Sequence, residues 1–218
     1  MISTKNRKAR VEWAKAHTDW TKKEWEDVLW SDESKYMFFG TDGIQWIRCS
    51  QGIPFDPKYQ IPTMKHGGGN VMVWGCVSRL DMGPLRWIQG IMDKFQYEDS
   101  LENTMHPYAR NSLGRGFIFQ QDNDPKHRSK HIQNWLSRRH VTLLDWPSQY
   151  PDLNIIEGVW AELERRLVGR NARNADEKFS QLEEEWKKIP FPFIQTLLDS
   201  IPRRCQAVID AKVFATKY

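Results

Sequence analysis

The stretch FIFQQDNDPKH, residues 117–127, decides the fold. Phe117–Gln121 is a short aromatic and β-branched run of the kind that forms a buried strand, and it ends on Asp122. DNDP then reads as an Asx-rich turn, because Asp124 precedes Pro125 and is biased to an extended or turn conformation. Beyond it, His131–Arg139 places Ile132, Trp135 and Leu136 on one helical face, and Val141–Asp145 is the next strand. Strand, helix and strand in that order make a parallel β-α-β unit. On the N-terminal side, Val28–Asp32, Tyr36–Phe39 and Gln45–Ile47 read as short strands separated by polar turns, followed by Val71–Val77 and Leu85–Ile88. A helical segment runs from Phe95 to about Arg110. On the C-terminal side, Asn154 precedes a helix with an apolar stripe of Ile156, Trp160, Leu163 and Leu167. Helices follow over Leu182–Ile189, Phe193–Ser200 and Arg203–Ala211. Lys5–His17 and Lys22–Val28 form a helical lead-in. The expected fold class is α/β, a mixed central sheet flanked by helices.

Three acidic residues occupy unlike contexts: Asp32 closing the run Val28–Asp32 in VLWSDES, Asp122 closing FIFQQD, and Glu157 opening a helix after WPSQYPDLNII. Carboxylates at strand ends and a helix start suit a site for Mg²⁺, which takes hard oxygen ligands and keeps several waters. Two such ions can activate a nucleophile and stabilise a leaving oxygen in phosphodiester chemistry. Each residue also has an ordinary reading. Asp32 could open a turn, with Glu33 a neighbouring rival that alternation sends to the opposite face of the strand. Asp122 competes with Asp124 for the same role. Glu157 stands where a capping-box glutamate would, three residues after Asn154.

WSDES, KHGGGNVMVWGCVS, FQQDNDPKH and WPSQYPDLNIIE resemble the D-D-E transposases of the Tc/mariner superfamily, in its Tc-like branch. The resemblance runs from KNRKARVEWAKAH to the terminal ATKY, and its motifs are long and ordered. It implies an RNase H-like catalytic core that cuts and rejoins DNA with two Mg²⁺ ions, Mn²⁺ being able to substitute. It implies Asp32, Asp122 and Glu157 as catalytic, metal-binding residues, and double-stranded DNA as partner, with transposon ends and a TA step as target. A homodimer in the DNA complex and a nuclear location follow from the same likeness. Gly67-Gly68-Gly69 resembles the stem of a glycine-rich clamp. Full-length relatives carry paired helix-turn-helix domains, and none precedes Lys5, so the chain reads as the catalytic domain without its N-terminal DNA-binding region. A catalytically impaired remnant that binds DNA or dimerises is the alternative function. The sequence departs from the family at Tyr150, commonly Ser, at Ile155, commonly Pro, and at Gly158, commonly bulkier. Gly158 costs about 1 kcal/mol of helix stability relative to Ala, so the sequence predicts a loosely seated Glu157.

Bulk properties agree with a packed globule. The 218 residues are 39% hydrophobic and include 11 Trp and 10 Phe, enough for a sizeable core. Trp30, Trp74, Trp146 and Trp160 lie in apolar runs and read as core rather than base-stacking groups. The net charge is only +4, so local clusters say more about a polyanionic partner than the total does. Basic groups gather at Lys5, Arg7, Lys8 and Arg10, at Lys126, Arg128 and Lys130, and at Arg165, Arg166, Arg170 and Arg173. The DNA-contact candidates are Arg48, Lys58, Lys65, His66, Lys126, His127, Arg128 and Lys130. Cys49, Cys76 and Cys205 show no disulfide or zinc spacing. No apolar run reaches membrane-spanning length. Residues 1–27 read as a basic helical lead-in and 28–175 as the catalytic core, with an insertion at about 50–69 that holds three Pro and four Gly. Residues 176–218 read as a C-terminal helical segment.

Overall fold

The computed structural model describes residues 4–38, 69–147 and 152–211. The strand expected at Gln45–Ile47, nearly all of the insertion, and Cys49 lie outside the described residues. Five strands form one mixed sheet in the order β3-β2-β1-β4-β5. The central strand β1 (Val28–Met37) runs antiparallel to β2 (Asn70–Val77), which runs antiparallel to β3 (Met82–Ile88). On its other side β1 pairs in parallel with β4 (Ile118–Gln120), and β4 with β5 (Thr142–Leu143).

Alternation along β1 sorts its residues between two cores. Val28, Trp30 and Tyr36 join Trp13, Trp25, Trp146, Val159, Trp160, Leu163 and Trp186 on one face. Leu29 joins Trp74, Tyr97, Leu101, Phe119, Ile132 and Trp135 in the second cluster. The four tryptophans read as core are all buried. Gly75 of β2 is required by the first packing, since a Cβ there would lie 2.7 Å from Trp160 and 2.9 Å from Trp186. One expectation is corrected here: Val28–Asp32 and the run beginning at Tyr36 are not separate strands. Glu33, Ser34 and Lys35 pair with Trp74, Val73 and Met72 of β2, so the polar residues stay on the ladder.

The helices are α1 (Thr4–Ala16), α2 (Lys22–Glu26), α3 (Lys94–Ser100), α4 (His106–Ser112) and α5 (Lys130–Arg138), then α6 (Ile156–Leu167), α7 (Ala175–Lys187), α8 (Phe191–Asp199) and α9 (Ile201–Asp210). α3 starts where the Asp93 carboxylate accepts from the amides of Phe95 and Gln96. It continues into α4 through one π turn, Leu101–Met105. Pro107, in the first turn of α4, lacks the N–H that an unbroken α ladder requires. α7 begins at Ala175 rather than near Leu182, because Asn174 caps it and Asp176 and Glu177 fill its first turn.

α1 packs against α9. Arg10 of α1 is buried and ion-paired with Asp152, and Arg204 of α9 donates to the Asp152 carbonyl at 2.9 Å. The chain leading into α6 is thereby tied to both terminal helices. Cys76 and Cys205 are free and buried; burial pushes the Cys205 thiol up to about 12. No helix among the described residues is long and apolar enough to cross a membrane.

Candidate active site

The parallel register of β1 and β4 brings the first two carboxylates to the same end of the sheet. Trp30 stands opposite Gln120, so two residues further along each chain reach Asp32 and Asp122. The regular ladder stops at Gln120, one residue short of the expected strand end. There side chains take over: Ser31 donates its amide to Gln120 Oε1 at 3.1 Å and its hydroxyl to the Gln120 carbonyl at 2.8 Å.

Glu157 arrives from the other side. Asn154 is buried and uses both ends of its amide, donating from Nδ2 to the Ser31 carbonyl at 3.5 Å and accepting from the Ile156 amide at 3.3 Å. The start of α6 is therefore strapped to β1 one residue before Asp32. The alternative reading of Asn154–Glu157 as a capping box fails, since the Asn154 oxygen accepts from the Ile156 amide rather than from that of Glu157, and α6 has no side-chain cap bond at its first position. Glu157 sits in the first turn of α6 and opens on solvent. The surrounding walls hold its pKa above the ordinary carboxylate range.

Gly158 corrects the expectation of a loosely seated turn. A Cβ there would lie 2.9 Å from Leu197 Cδ2 and 3.3 Å from Cδ1, so the glycine lets α6 approach α8 closely. Ile155, where the family commonly has Pro, is fully buried in the first core. The first turn is held by packing rather than by local propensity.

The electrostatics of Asp32 are unusual for a surface-edge carboxylate. Burial raises its pKa, and nearby Glu33, Glu157 and Asp122 raise it further, to about 8. Four acidic groups thus crowd one sheet end. Asp122 goes the other way: burial opposes its ionisation, but His127, the Asp124 amide and Lys126 outweigh it and hold its pKa below the ordinary value.

The sequence puts His127 among the DNA contacts; in the structure it is turned inward. It is 2% exposed, bonded through Nδ1 to Asp122 Oδ1, with Nε2 3.3 Å from Glu33 Oε1. Its ring stacks on Tyr97 at 3.8 Å between centroids. Burial works against its charge, but the two carboxylates outweigh burial and push its pKa up to about 9. The turn residues behave as expected: Asp124 accepts from the Lys126 amide at 2.9 Å and from Lys126 Nζ at 2.6 Å. Lys126 is thereby partly neutralised, whereas Arg128 and Lys130 are exposed. Arg48, Lys58, Lys65 and His66 lie outside the described residues. Arg165 and Arg166 pair with Glu162, and Arg170 with Glu184 and Glu185, so these three do not form a free phosphate track. Arg10 is likewise consumed by its buried pair.

Glu33 is the residue that strand alternation sets aside. It does lie on the opposite face from Asp32, yet the loop after β4 curls His127 onto that face. Among the described residues, Glu33, Asp122 and His127 have ligand atoms within 4.8 Å of one another; Asp32 and Glu157 stand outside that set. The signal in the sequence is a histidine five residues after Asp122 across a proline turn, a spacing that can mark a returning side chain.

The chain matches the family model described as DDE superfamily endonuclease over residues 27–188. It is similar to the Transposable element Tcb1 transposase of Caenorhabditis briggsae, at 63% identity over 218 residues, covering 100% of this chain and 80% of the relative. In fold it is similar to the Mos1 mariner paired end complex with Mn, with a TM-score of 0.84 at 14% identity, covering 100% of this chain and 65% of that one. The Mos1 transposase catalytic domain with Raltegravir and Mg is matched over 100% of both chains, with a TM-score of 0.77 at 13% identity. The mixed sheet flanked by helices is the RNase H-like fold of those neighbours. With a family model over most of its length and a relative of that identity along all of it, the chain belongs to the DDE superfamily endonucleases, in the Tc/mariner family of transposases.

Proposed function

We propose that Asp32, Asp122 and Glu157 are the residues with which this transposase binds a pair of Mg²⁺ ions, cleaves DNA and transfers the freed 3′-hydroxyl to a TA step. The observation that carries this reading is Asp32, a partly buried acid whose neighbours Glu33, Glu157 and Asp122 all disfavour its ionisation. A cluster of like charges held at one sheet end is costly unless a cation joins it. The donors are hard oxygens, which fit Mg²⁺, or Mn²⁺ in its place. Bound there, the ions would supply charge stabilisation to the attacking and leaving oxygens of an in-line displacement.

The protein's own contribution is placement. The Ser31–Gln120 bonds fix the ends of β1 and β4, the Asn154 strap fixes α6 against β1, and packing on Leu197 fixes the first turn that carries Glu157. Exposed Arg128, just before α5, and Lys130, its first residue, serve as phosphate contacts. The partner is double-stranded transposon-end DNA, engaged by a homodimer in the nucleus. The structural neighbours, which include the Mos1 transposase paired-end complex with left transposon end, support a DNA partner.

The test is cleavage of an uncut terminal-repeat duplex, and joining of a pre-cut one to a TA-containing plasmid, by the purified chain with Mg²⁺, Mn²⁺ or chelator. Product should require metal and vanish in Glu157→Gln. Binding should weaken linearly in log–log with salt and lessen its slope by about one for each phosphate-contacting cation removed, Arg128→Ala or Lys130→Ala. DNA binding with no product under either metal would instead support the catalytically silent remnant.

A further inference from the structure

The loop after β4 commits one oxygen of Asp122, and among the described residues the other has no hydrogen bond. Oδ1 accepts from the Asp124 amide at 3.1 Å and from His127 Nδ1. The His127 ring is held on several sides. It stacks on Tyr97. The Tyr97 hydroxyl donates to Gln121 Oε1 at 2.7 Å, and Gln121 Nε2 donates back to the His127 carbonyl at 3.4 Å. The ring's second nitrogen faces Glu33 Oε1 at 3.3 Å as an ion pair, and among the described residues neither of those two buried atoms has a hydrogen-bond partner.

Two roles are open to such a cluster. It could hold an ion itself, because its ligand atoms lie within 4.8 Å of one another. An imidazole nitrogen that carries a proton has no lone pair to give, however, and ionised carboxylates only accept. The ring nitrogen that meets Asp122 Oδ1 therefore donates, and it holds the carboxylate rather than an ion. We propose that His127 and Glu33 are positioning residues for Asp122: His127 clamps Oδ1, Glu33 anchors His127, and Oδ2 is thereby presented to the metal. This rests on the reading of Asp122 as a ligand. Groups that orient a metal ligand in this way are worth about 10–100-fold in affinity or activity.

The experiment measures Mn²⁺ binding to the metal-free protein by electron paramagnetic resonance, alongside cleavage kinetics and melting temperature. Glu33→Gln keeps the side-chain volume, so it should fold and melt like the parent. It should weaken Mn²⁺ binding about 10–100-fold without changing the number of ions bound, and lower kcat while leaving KM for DNA unchanged. His127→Asn, which keeps a donor toward Asp122, should lose less than His127→Leu. Parent-like Mn²⁺ affinity in Glu33→Gln overturns the proposal, as does loss of a whole bound ion, which would make Glu33 a ligand. Glu157→Gln is the control: if it loses Mn²⁺ affinity while Glu33→Gln does not, the positioning role falls and the metal site stands. If both bind as the parent does, the metal reading falls, and the positioning role with it.

Discussion

Asp32→Asn is expected to stabilise the metal-free protein while abolishing cleavage. An aspartate with an ordinary pKa of 3.8 is pushed to about 8 in the fold. Between those values the native state keeps a proton that the unfolded chain releases, so stability falls as pH rises from about 4 to about 8. Below pH 4 both states are protonated and the penalty is absent. A tenfold difference in proton affinity between the two states is worth about 1.4 kcal/mol. Allowing for relaxation and water entry, asparagine should recover on the order of 3 kcal/mol at pH 7.5. For a chain of this size that is roughly 6–12 °C in melting temperature. Mg²⁺ should raise the melting temperature of the parent and not of the variant. Cleavage should drop at least about 10³-fold, the scale of losing a group that stabilises developing charge. A destabilised variant, or a parent whose stability is flat across that pH range, would contradict the crowding of carboxylates around Asp32.

Gly158→Asn should lower cleavage about 10²-fold, the cost of an ångström-scale displacement of a catalytic group. The first β-carbon alone would meet Leu197 at 2.9 Å, and the amide beyond it has further to go. Either Leu197 moves or the first turn of α6 tilts, and Glu157 with it. Gly158→Ala should cost less, because the tip of Leu197 can swing aside. The decisive variant is the double one: Leu197→Ala should restore most of the activity lost in Gly158→Asn, a coupling expected only of residues in contact. Parent-like cleavage by Gly158→Asn, or no rescue by Leu197→Ala, would show that this packing does not place the glutamate.

The contrast at Gly158 marks what the sequence can carry. Local propensity makes glycine a weakness in a helix start, whereas the contact that uses it comes from α8, 39 residues further on at Leu197. The same limit appears at Asn154, whose spacing to Glu157 fits a capping box but whose Nδ2 donates to the Ser31 carbonyl, 123 residues away, while its oxygen accepts from Ile156. Alternation reads the faces of β1 correctly, which is why the tryptophan core is legible. It does not show that the loop after β4 returns His127 to the face of Glu33. Basic runs mislead for a related reason: Arg170 looks free in sequence because its partners, Glu184 and Glu185, belong to the next helix. Periodicity and core faces depend on neighbours in the chain, whereas ion pairs, close approaches and the start of α6 depend on neighbours in space.

The most direct test of the central claim is a crystal structure of the protein with Mn²⁺ and a pre-cut end duplex. It should show ions bound by oxygens of Asp32, Asp122 Oδ2 and Glu157, with His127 still bonded to Asp122 Oδ1. Ions held by Glu33 and His127, with Asp32 or Glu157 turned away, would contradict it.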